Sequence, residues 1–160
     1  MIGGDMMSGG DMKDGRAHEK VLVFDHEPLI LDFLAAVLRR EGYCVTATAC
    51  GEEVLELLSS DDFDLAIADL GLSRWNGRSL VRRIRQTTPD TPIVAMSAYP
   101  AKEVIRFAEQ HAEAFLTKPF CTVELLAAVR RAMKRRVVPE AGEGQAFVSR
   151  EGAAVAVGSG

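Results

Sequence analysis

The stretch VLVFDHEP, residues 21–28, decides the fold, because an apolar run ends abruptly in an acid, a histidine, a second acid and a proline. A short continuous apolar run is typical of a strand that is buried on both faces of a parallel sheet. Pro28 suits the first turn of a helix, where its missing N–H costs no hydrogen bond. The stretch therefore predicts a buried strand, a polar loop and the start of a helix.

The same order of elements repeats along the chain. Further strands are predicted for CVTAT, LAIA, PIVAM and AFLT, at residues 44–48, 65–68, 92–96 and 114–117. Apolar residues at helical spacing follow each of the five runs. This alternation predicts an α/β fold, in which a doubly wound five-stranded parallel sheet carries helices on both faces.

Composition bounds the class of protein. The chain has 160 residues, of which 48% are hydrophobic and 26% are charged, as expected for one globular domain. A net charge of −4 is unlike that of a protein that coats nucleic acid. No apolar run reaches the about 18 residues of a membrane span, and the N-terminus lacks the apolar region of a secretory signal. Three cysteines without a CxxC pair favour reduced thiols, so a cytoplasmic location is predicted.

We predict three parts along the chain. Residues 1–18 and 137–160 are rich in glycine and are predicted to be flexible tails on either side of one folded domain at 19–136. The basic run RRAMKRR at 130–136 is interpreted as a helix C-terminus, where cations are favourable. Because no DNA-reading motif follows this run, we predict no output domain and no direct contact with nucleic acid.

Polar residues follow four of the predicted strands. Asp25 and His26 come after the first run, Asp69 after the third, Ser97 after the fourth and Lys118 after the fifth. The carboxyl ends of parallel strands meet at one edge of the sheet, which is where such folds bind ligands. Each residue alone has an ordinary explanation, such as a helix cap, a turn or a solvated side chain, but the joint pattern favours one pocket. Carboxylates suit Mg²⁺, and an amine suits a phosphoryl oxygen.

In this order, the motifs VLVFDHEP, DLAIADLGLSRWNG, PIVAMSA and AFLTKPF resemble the receiver domain of bacterial two-component response regulators, over residues 20–136. The resemblance implies the flavodoxin-like (βα)₅ receiver fold and a single-domain response regulator that binds proteins and is not an enzyme. Its partners would be a histidine kinase or phosphotransfer protein and a downstream target protein, with no membrane. A homodimer through the face of helix four, strand five and helix five is left open.

The resemblance also implies roles for individual residues. Asp69 would be the phosphoacceptor, and Lys118 would contact a phosphoryl oxygen and offset its charge. Ser97 would turn to hydrogen-bond another phosphoryl oxygen, and Phe115 matches the switch aromatic that moves inward with it. A small hydrolase or nucleotide-binding enzyme is a weaker alternative, because no glycine-rich phosphate loop follows the first strand.

The metal site is the least regular part of the resemblance. The family binds Mg²⁺, which the resemblance assigns here to Asp25, Asp69 and the backbone carbonyl of Gly71. His26 stands where the family has a second acid that binds the metal directly, and imidazole suits zinc, copper or nickel better than Mg²⁺. Three interpretations stay open. Phosphorylation continues with weakened Mg²⁺ binding; a protonated His26 partly replaces the cation; or the domain is a degenerate pseudo-receiver, a phosphate-independent protein-interaction module.

Overall fold

The computed structural model describes residues 12–13, 16–71, 77–135, 146–148 and 154–156. Its strands are β1 Met12–Lys13, β2 Arg16–Ala17, β3 Lys20–Phe24, β4 Cys44–Thr48, β5 Leu65–Asp69, β6 Ile93–Ser97, β7 Ala114–Thr117, β8 Ala146–Val148 and β9 Ala154–Ala156. Its helices are α1 Pro28–Arg40, α2 Gly51–Ser60, α3 Gly77–Thr87, α4 Lys102–His111 and α5 Thr122–Arg135. Most of the two predicted tails lies outside the described residues. None of the described helices is both long and apolar enough to cross a membrane.

Alternate residues of each central strand face opposite sides of the sheet. On β3, Leu22 and Phe24 pack into one apolar layer with residues of α2, α3 and α4. Val21 and Val23 pack into the other layer with residues of α1 and α5. Burying one large aliphatic side chain contributes about 1.5–3 kcal/mol, and every residue of β5 and β6 is buried. The two layers therefore hold the central strands, and with them the strand ends, in fixed positions.

Five parallel strands form the centre of the sheet, in the order β4-β3-β5-β6-β7. In the register of the central strands, Val21 of β3 lies opposite both Val45 of β4 and Leu65 of β5. This is the strand order of flavodoxin-like folds. With helices packed on both faces, it confirms the predicted α/β class and the doubly wound five-stranded parallel sheet.

Some strand boundaries differ from the sequence prediction. β5 runs to Asp69, one residue beyond the predicted end, where Asp69 lies opposite Met96 of β6. β6 begins at Ile93, because Pro92 has no N–H to donate to a neighbouring strand. The short strands β1, β2, β8 and β9 lie within ranges that were predicted to be tails, and β8 and β9 continue the sheet beyond β7. The tail boundaries themselves stay a prediction.

The outer strand β4 lies beside the end of α1. Gly42 follows the helix with a φ of 97°, a left-handed conformation that glycine adopts without strain. The backbone groups of Cys44 and Thr48 bond toward the β3 side, so the carbonyl of Val45 between them points to the open edge. Arg39 Nη2 donates to that carbonyl over 3.1 Å. One acceptor on the open edge is therefore occupied by a side chain of the same molecule.

A polar cluster lies at the amino ends of β6 and β7. Arg85, near the end of α3, contacts both carboxylate oxygens of Glu113, at 2.7 and 2.8 Å. Its N–H groups also donate to the carbonyls of Pro89, Thr91 and His111 over 2.8–3.2 Å. Glu113 accepts the N–H of the first residue of β6 as well. The Arg85 cluster is the name used below for Arg85, Glu113, Pro89, Thr91 and His111. The charges of Arg85 and Glu113 are both fully paired in it.

Candidate functional site

Four strand ends meet at the carboxyl edge of the sheet. Asp25 directly follows β3, Asp69 is the last residue of β5, Ser97 is the last of β6, and Lys118 directly follows β7. Lys118 Nζ lies 2.5 Å from Asp25 Oδ2 and 3.4 Å from Asp69 Oδ2. The structure thus brings together an amine and two carboxylates from three separate segments, as the order of strands in the sequence predicts.

The charges in this group are removed from water. Asp25 is 0% and Asp69 3% exposed, and the side chain of Lys118 is 8% exposed. Burial alone would lower the pKa of Lys118, but the hydrogen bond to Asp25 and the charges of the neighbouring carboxylates raise that pKa above its ordinary value of 10.5. Lys118 is therefore an ammonium at neutral pH and offsets part of the negative charge of the carboxylates.

Two glycines allow the chain to pass close to Asp69. The N–H of Gly71 donates to Asp69 Oδ1 over 3.0 Å, and a Cβ at Gly71 would lie 2.9 Å from Asp69 Oδ2. A Cβ at Gly77 would lie 2.2 Å from the backbone carbonyl oxygen of Asp69, which is a severe clash. The hydrogen bond from Gly71 fixes Oδ1 of Asp69, and Oδ2 faces His26 and Lys118. The metal-binding role of the Gly71 carbonyl stays a prediction.

His26 joins the same group. Its Nδ1 is 3.0 Å from Asp69 Oδ2 and 3.8 Å from Asp25 Oδ1, and its Nε2 is 4.0 Å from Glu27 Oε1. The imidazole is 48% exposed, in contrast to the two aspartates beneath it. Within the part of the chain that the structure describes, Asp25, His26 and Asp69 each offer one ligand atom within 4.8 Å of the other two.

These three side chains fit Mg²⁺ only in part. Carboxylate oxygens are the ligands that Mg²⁺ prefers, and Asp25 and Asp69 supply them. The imidazole of His26 stands among them, and nitrogen ligands of this kind suit zinc, copper, nickel or iron. The donor set as a whole therefore departs from the all-oxygen set of a magnesium site.

The two predicted switch residues, Ser97 and Phe115, are both buried. The hydroxyl of Ser97 accepts the N–H of Tyr99 over 3.0 Å and donates to the Tyr99 carbonyl over 3.2 Å. The N–H of Lys118 donates to the Ser97 carbonyl over 2.9 Å, which ties the loop after β6 to the loop after β7. The Ser97 hydroxyl is thus engaged within its own loop, while the ring of Phe115 already lies in the apolar core.

An open cavity of ≈ 420 Å³ lies over the charged group. Its lining includes Asp69, Lys118 and His26, together with Glu27 and Tyr99. The last two were not predicted as site residues, because a glutamate and a tyrosine in loops carry no specific motif of their own. The sequence signal that points to them is their place in the loops after two predicted strands, three residues beyond Phe24 and Met96.

The chain matches a family model described as the response regulator receiver domain, over residues 21–130. It is 33% identical over 127 residues to the response regulator MprA of Mycolicibacterium vanbaalenii, covering 79% of this chain and 54% of the relative. It is 30% identical over 129 residues to MprA of Mycobacterium tuberculosis, covering 80% of this chain and 56% of the relative. The chain spans about half the length of these curated relatives.

Solved structures share the fold. A CheY-like response regulator receiver domain protein from Methanospirillum hungatei is 25% identical with a TM-score of 0.71, covering 75% of this chain and 97% of that chain. The response regulator TrrA of Thermotoga maritima, in complex with Mg²⁺–BeF, is 29% identical with a TM-score of 0.65, covering 71% of this chain and 98% of that chain. The strand order, the acidic group at the carboxyl edge and these matches agree. The chain belongs to the receiver domain family of two-component response regulators.

Proposed function

We propose that this chain is a phosphorylation-switched binding protein, in which Asp69 accepts a phosphoryl group from a histidine kinase or a phosphotransfer protein. One observation carries the proposal: Asp69 is buried but lines an open cavity, and the ammonium of Lys118 lies 3.4 Å from its Oδ2. A carboxylate that is reached from one side only, beside a fixed cation, is well placed to attack a phosphorus atom. The chain would act as a signalling module and not as an enzyme.

The proposed transfer forms one bond and breaks one. An oxygen of Asp69 forms a P–O bond, while the bond from phosphorus to the histidine nitrogen of the donor, or to the oxygen of a small acyl phosphate, breaks and leaves its electron pair on the donor. Lys118 lies beside the reacting carboxylate, where its positive charge stabilises the phosphoryl oxygens.

The proposed output is a change in two loops and the surface beside them. Ser97 would exchange its hydrogen bonds with Tyr99 for one with a phosphoryl oxygen. The loop after β7 would follow, because the Ser97 carbonyl is bonded to the N–H of Lys118. Phe115 lies in the apolar layer that α4 also enters. The face formed by α4, β7 and α5 would then change its affinity for a downstream target protein, or for a second copy of the chain.

Intact-mass measurement after incubation with a small acyl phosphate tests the proposal. With Mg²⁺, and separately with Mn²⁺, the wild type should gain one phosphoryl group. Asp69→Ala should gain none, because the attacking oxygen is absent. Asp90→Ala is the matched control, since Asp90 is exposed in the turn before β6 and should leave the uptake unchanged. An adduct that persists in Asp69→Ala would contradict the role of Asp69.

A degenerate pseudo-receiver is the second candidate, and the position of His26 favours it. Nδ1 of His26 lies 3.0 Å from Asp69 Oδ2, so the imidazole partly occupies the approach to the Asp69 carboxylate. In that case the chain would bind its partner without phosphate. A folded wild type that gains no adduct with either metal, and a His26→Asp variant that does gain one, would decide for this candidate.

We also propose that the chain works in the cytoplasm and contacts proteins and not nucleic acid. The net charge of −4 supports the second statement, because a nucleic-acid surface needs positive charge. Since the curated relatives are about twice as long as the matched region, these statements concern this domain alone.

A further inference from the structure

We infer that Asp25, His26 and Asp69 form a site for a divalent transition-metal ion that accepts imidazole, with Zn²⁺ as the representative, and that this site discriminates against Mg²⁺. The inference concerns the pocket of the proposed function and rests on it for its signalling consequence, whereas metal binding itself is measured without a phosphodonor. It starts from the mismatch in the donor set: the two acids fit Mg²⁺ and the imidazole does not.

The three ligand atoms already lie close together. Nδ1 of His26 is 3.0 Å from Asp69 Oδ2 and 3.8 Å from Asp25 Oδ1. Ligand atoms that bind one zinc ion at about 2.0–2.2 Å are separated from one another by about 3.0–3.6 Å. All three atoms lie within 4.8 Å of one another, so side-chain movements of about 1 Å bring them to this spacing. Three protein ligands beside an open cavity also leave a coordination position free, as in zinc sites that bind a further ligand.

Each carboxylate can bind the metal through one oxygen and keep the hydrogen bond that its other oxygen accepts. Asp25 contacts Lys118 through Oδ2 and faces His26 through Oδ1. Asp69 accepts the N–H of Gly71 on Oδ1 and faces His26 through Oδ2. The oxygens that face the imidazole are thus not the ones that accept the hydrogen bonds from Lys118 and Gly71, although Asp69 Oδ2 also lies 3.4 Å from the Lys118 ammonium. Metal binding would leave both of those hydrogen bonds in place.

The carboxylate of Glu27 lies on the Nε2 side of the His26 imidazole. Its Oε1 lies 4.0 Å from Nε2 of His26, and the N–H of Glu27 donates to Asp25 Oδ1, which leaves that oxygen a second lone pair. Metal-bound histidines commonly donate their other ring N–H to a carboxylate, which fixes the tautomer. Without a metal, the 3.0 Å contact of Nδ1 with Asp69 Oδ2 is a hydrogen bond only if Nδ1 carries a hydrogen. In the metal-bound form the ring hydrogen would be on Nε2, on the side of Glu27, and the lone pair of Nδ1 would face the metal between Asp25 and Asp69.

A protonated His26 is the rival explanation for the same contacts. An imidazolium carries a proton on both ring nitrogens, so it would offset the carboxylates by itself and would offer no lone pair to a metal. The two explanations predict opposite results in a titration. A neutral imidazole binds Zn²⁺ and that binding depends on His26, whereas an imidazolium competes with any added cation.

Isothermal titration of the full chain, without phosphodonor, tests the inference. The wild type should bind one Zn²⁺ at least about 100-fold more tightly than Mg²⁺. His26→Asp should weaken Zn²⁺ binding at least about 10-fold and strengthen Mg²⁺ binding, because it restores an all-oxygen donor set. His111→Gln is the matched control, since His111 lies at the end of α4 and stacks on Phe107 away from this site.

Exposed thiols can also bind zinc. Cys44, Cys50 and Cys121 are exposed and free, so the titration is repeated on a chain in which all three are serine. Nitrogen-15 NMR of the imidazoles then identifies the bound atom: Zn²⁺ should shift Nδ1 of His26 and leave His111 unchanged. An equal or higher affinity for Mg²⁺, or an unchanged Zn²⁺ affinity in a His26→Asp variant with native circular dichroism, would overturn the inference.

The result is separable from the test of the proposed function. A wild type that takes up phosphate with Mg²⁺ but binds no Zn²⁺ would keep the function and overturn the metal site. A wild type that binds Zn²⁺ through His26 but gains no phosphoryl group with any metal would keep the metal site and overturn the function.

Discussion

Two charged clusters lie at opposite edges of the same sheet, and they differ in how fully their charges are paired. At the carboxyl edge, Asp25, Asp69 and Glu27 all lie within 3.7 Å of one ammonium, that of Lys118. At the amino edge, the Arg85 cluster pairs one guanidinium with one carboxylate and three carbonyls. The first cluster also opens into a cavity of ≈ 420 Å³.

The comparison separates a structural cluster from a functional one. In the Arg85 cluster every strong donor already has an acceptor, so the cluster holds together the loop before β6 and the loop before β7 and has little capacity for a ligand. The carboxyl-edge cluster carries surplus negative charge beside open space, which a stable core would avoid and which suits a metal cation. The same chemical change should therefore have different effects at the two edges.

The largest expected difference in stability comes from changing one carboxylate at each edge to its amide. Glu113→Gln should lower the free energy of unfolding by about 2–3 kcal/mol, because the guanidinium of Arg85 loses its counter-charge. Asp69→Asn should change it by less than about 1 kcal/mol, because other carboxylates still face Lys118. Urea unfolding of both variants at neutral pH measures the difference, and equal losses would remove the distinction between the clusters.

A smaller effect on stability, with an effect on phosphoryl uptake, is expected from Gly77→Ala. The added Cβ would meet the carbonyl oxygen of Asp69 at 2.2 Å, so the backbone around Asp69 must shift. We expect a loss of about 1–2 kcal/mol in the free energy of unfolding and a lower yield of phosphorylated protein. Ser79→Ala on the exposed side of α3 is the control. A normal yield in Gly77→Ala would show that the position of Asp69 is not critical.

The smallest effect is expected at an exposed ion pair, Lys20 with Asp61, whose atoms lie 2.8 Å apart. The hydrogen bond from Lys20 lowers the pKa of Asp61 below 3.8, and the same bond raises the pKa of Lys20 above 10.5. The ion pair therefore stabilises the folded state fully between pH 3.8 and pH 10.5, the ordinary pKa values of the two side chains. This stabilisation is lost as the pH falls through the lowered pKa of Asp61 or rises through the raised pKa of Lys20.

Asp61→Asn should accordingly give a slightly lower urea midpoint than the wild type at neutral pH. The difference should disappear as the pH falls through the lowered pKa of Asp61, because the protonated carboxyl is then uncharged like the amide. High salt should shrink the difference at neutral pH, because exposed charges are screened. A difference that persists in acid would assign the effect to something other than this ion pair.

The sequence predicts the central strands well because each is an apolar run bounded by polar residues. It also predicts the meeting of Asp25, Asp69 and Lys118, because parallel strands place their carboxyl ends on one edge. The roles of Ser97 and Phe115 came from a resemblance to a family, and the geometry alone does not assign them. Topology thus carries more information about the site than any single motif does.

Other features have no local signal. Arg85 and Glu113 are 28 residues apart, and each is an ordinary charged residue on its own element, so only the packed structure pairs them. The strands β8 and β9 are three residues long, which is too short for an alternating pattern to be recognised. The direction in which His26 turns its ring nitrogens is likewise set by neighbours that the sequence does not reveal.

The contact between Arg39 and the Val45 carbonyl has a consequence for how copies of this protein meet. An outer strand with free carbonyls and N–H groups is a template on which a strand of another molecule can add. Arg39 caps one of those carbonyls over 3.1 Å and places a positive charge at the rim. Strand-to-strand aggregation along β4 is thereby discouraged at this carbonyl.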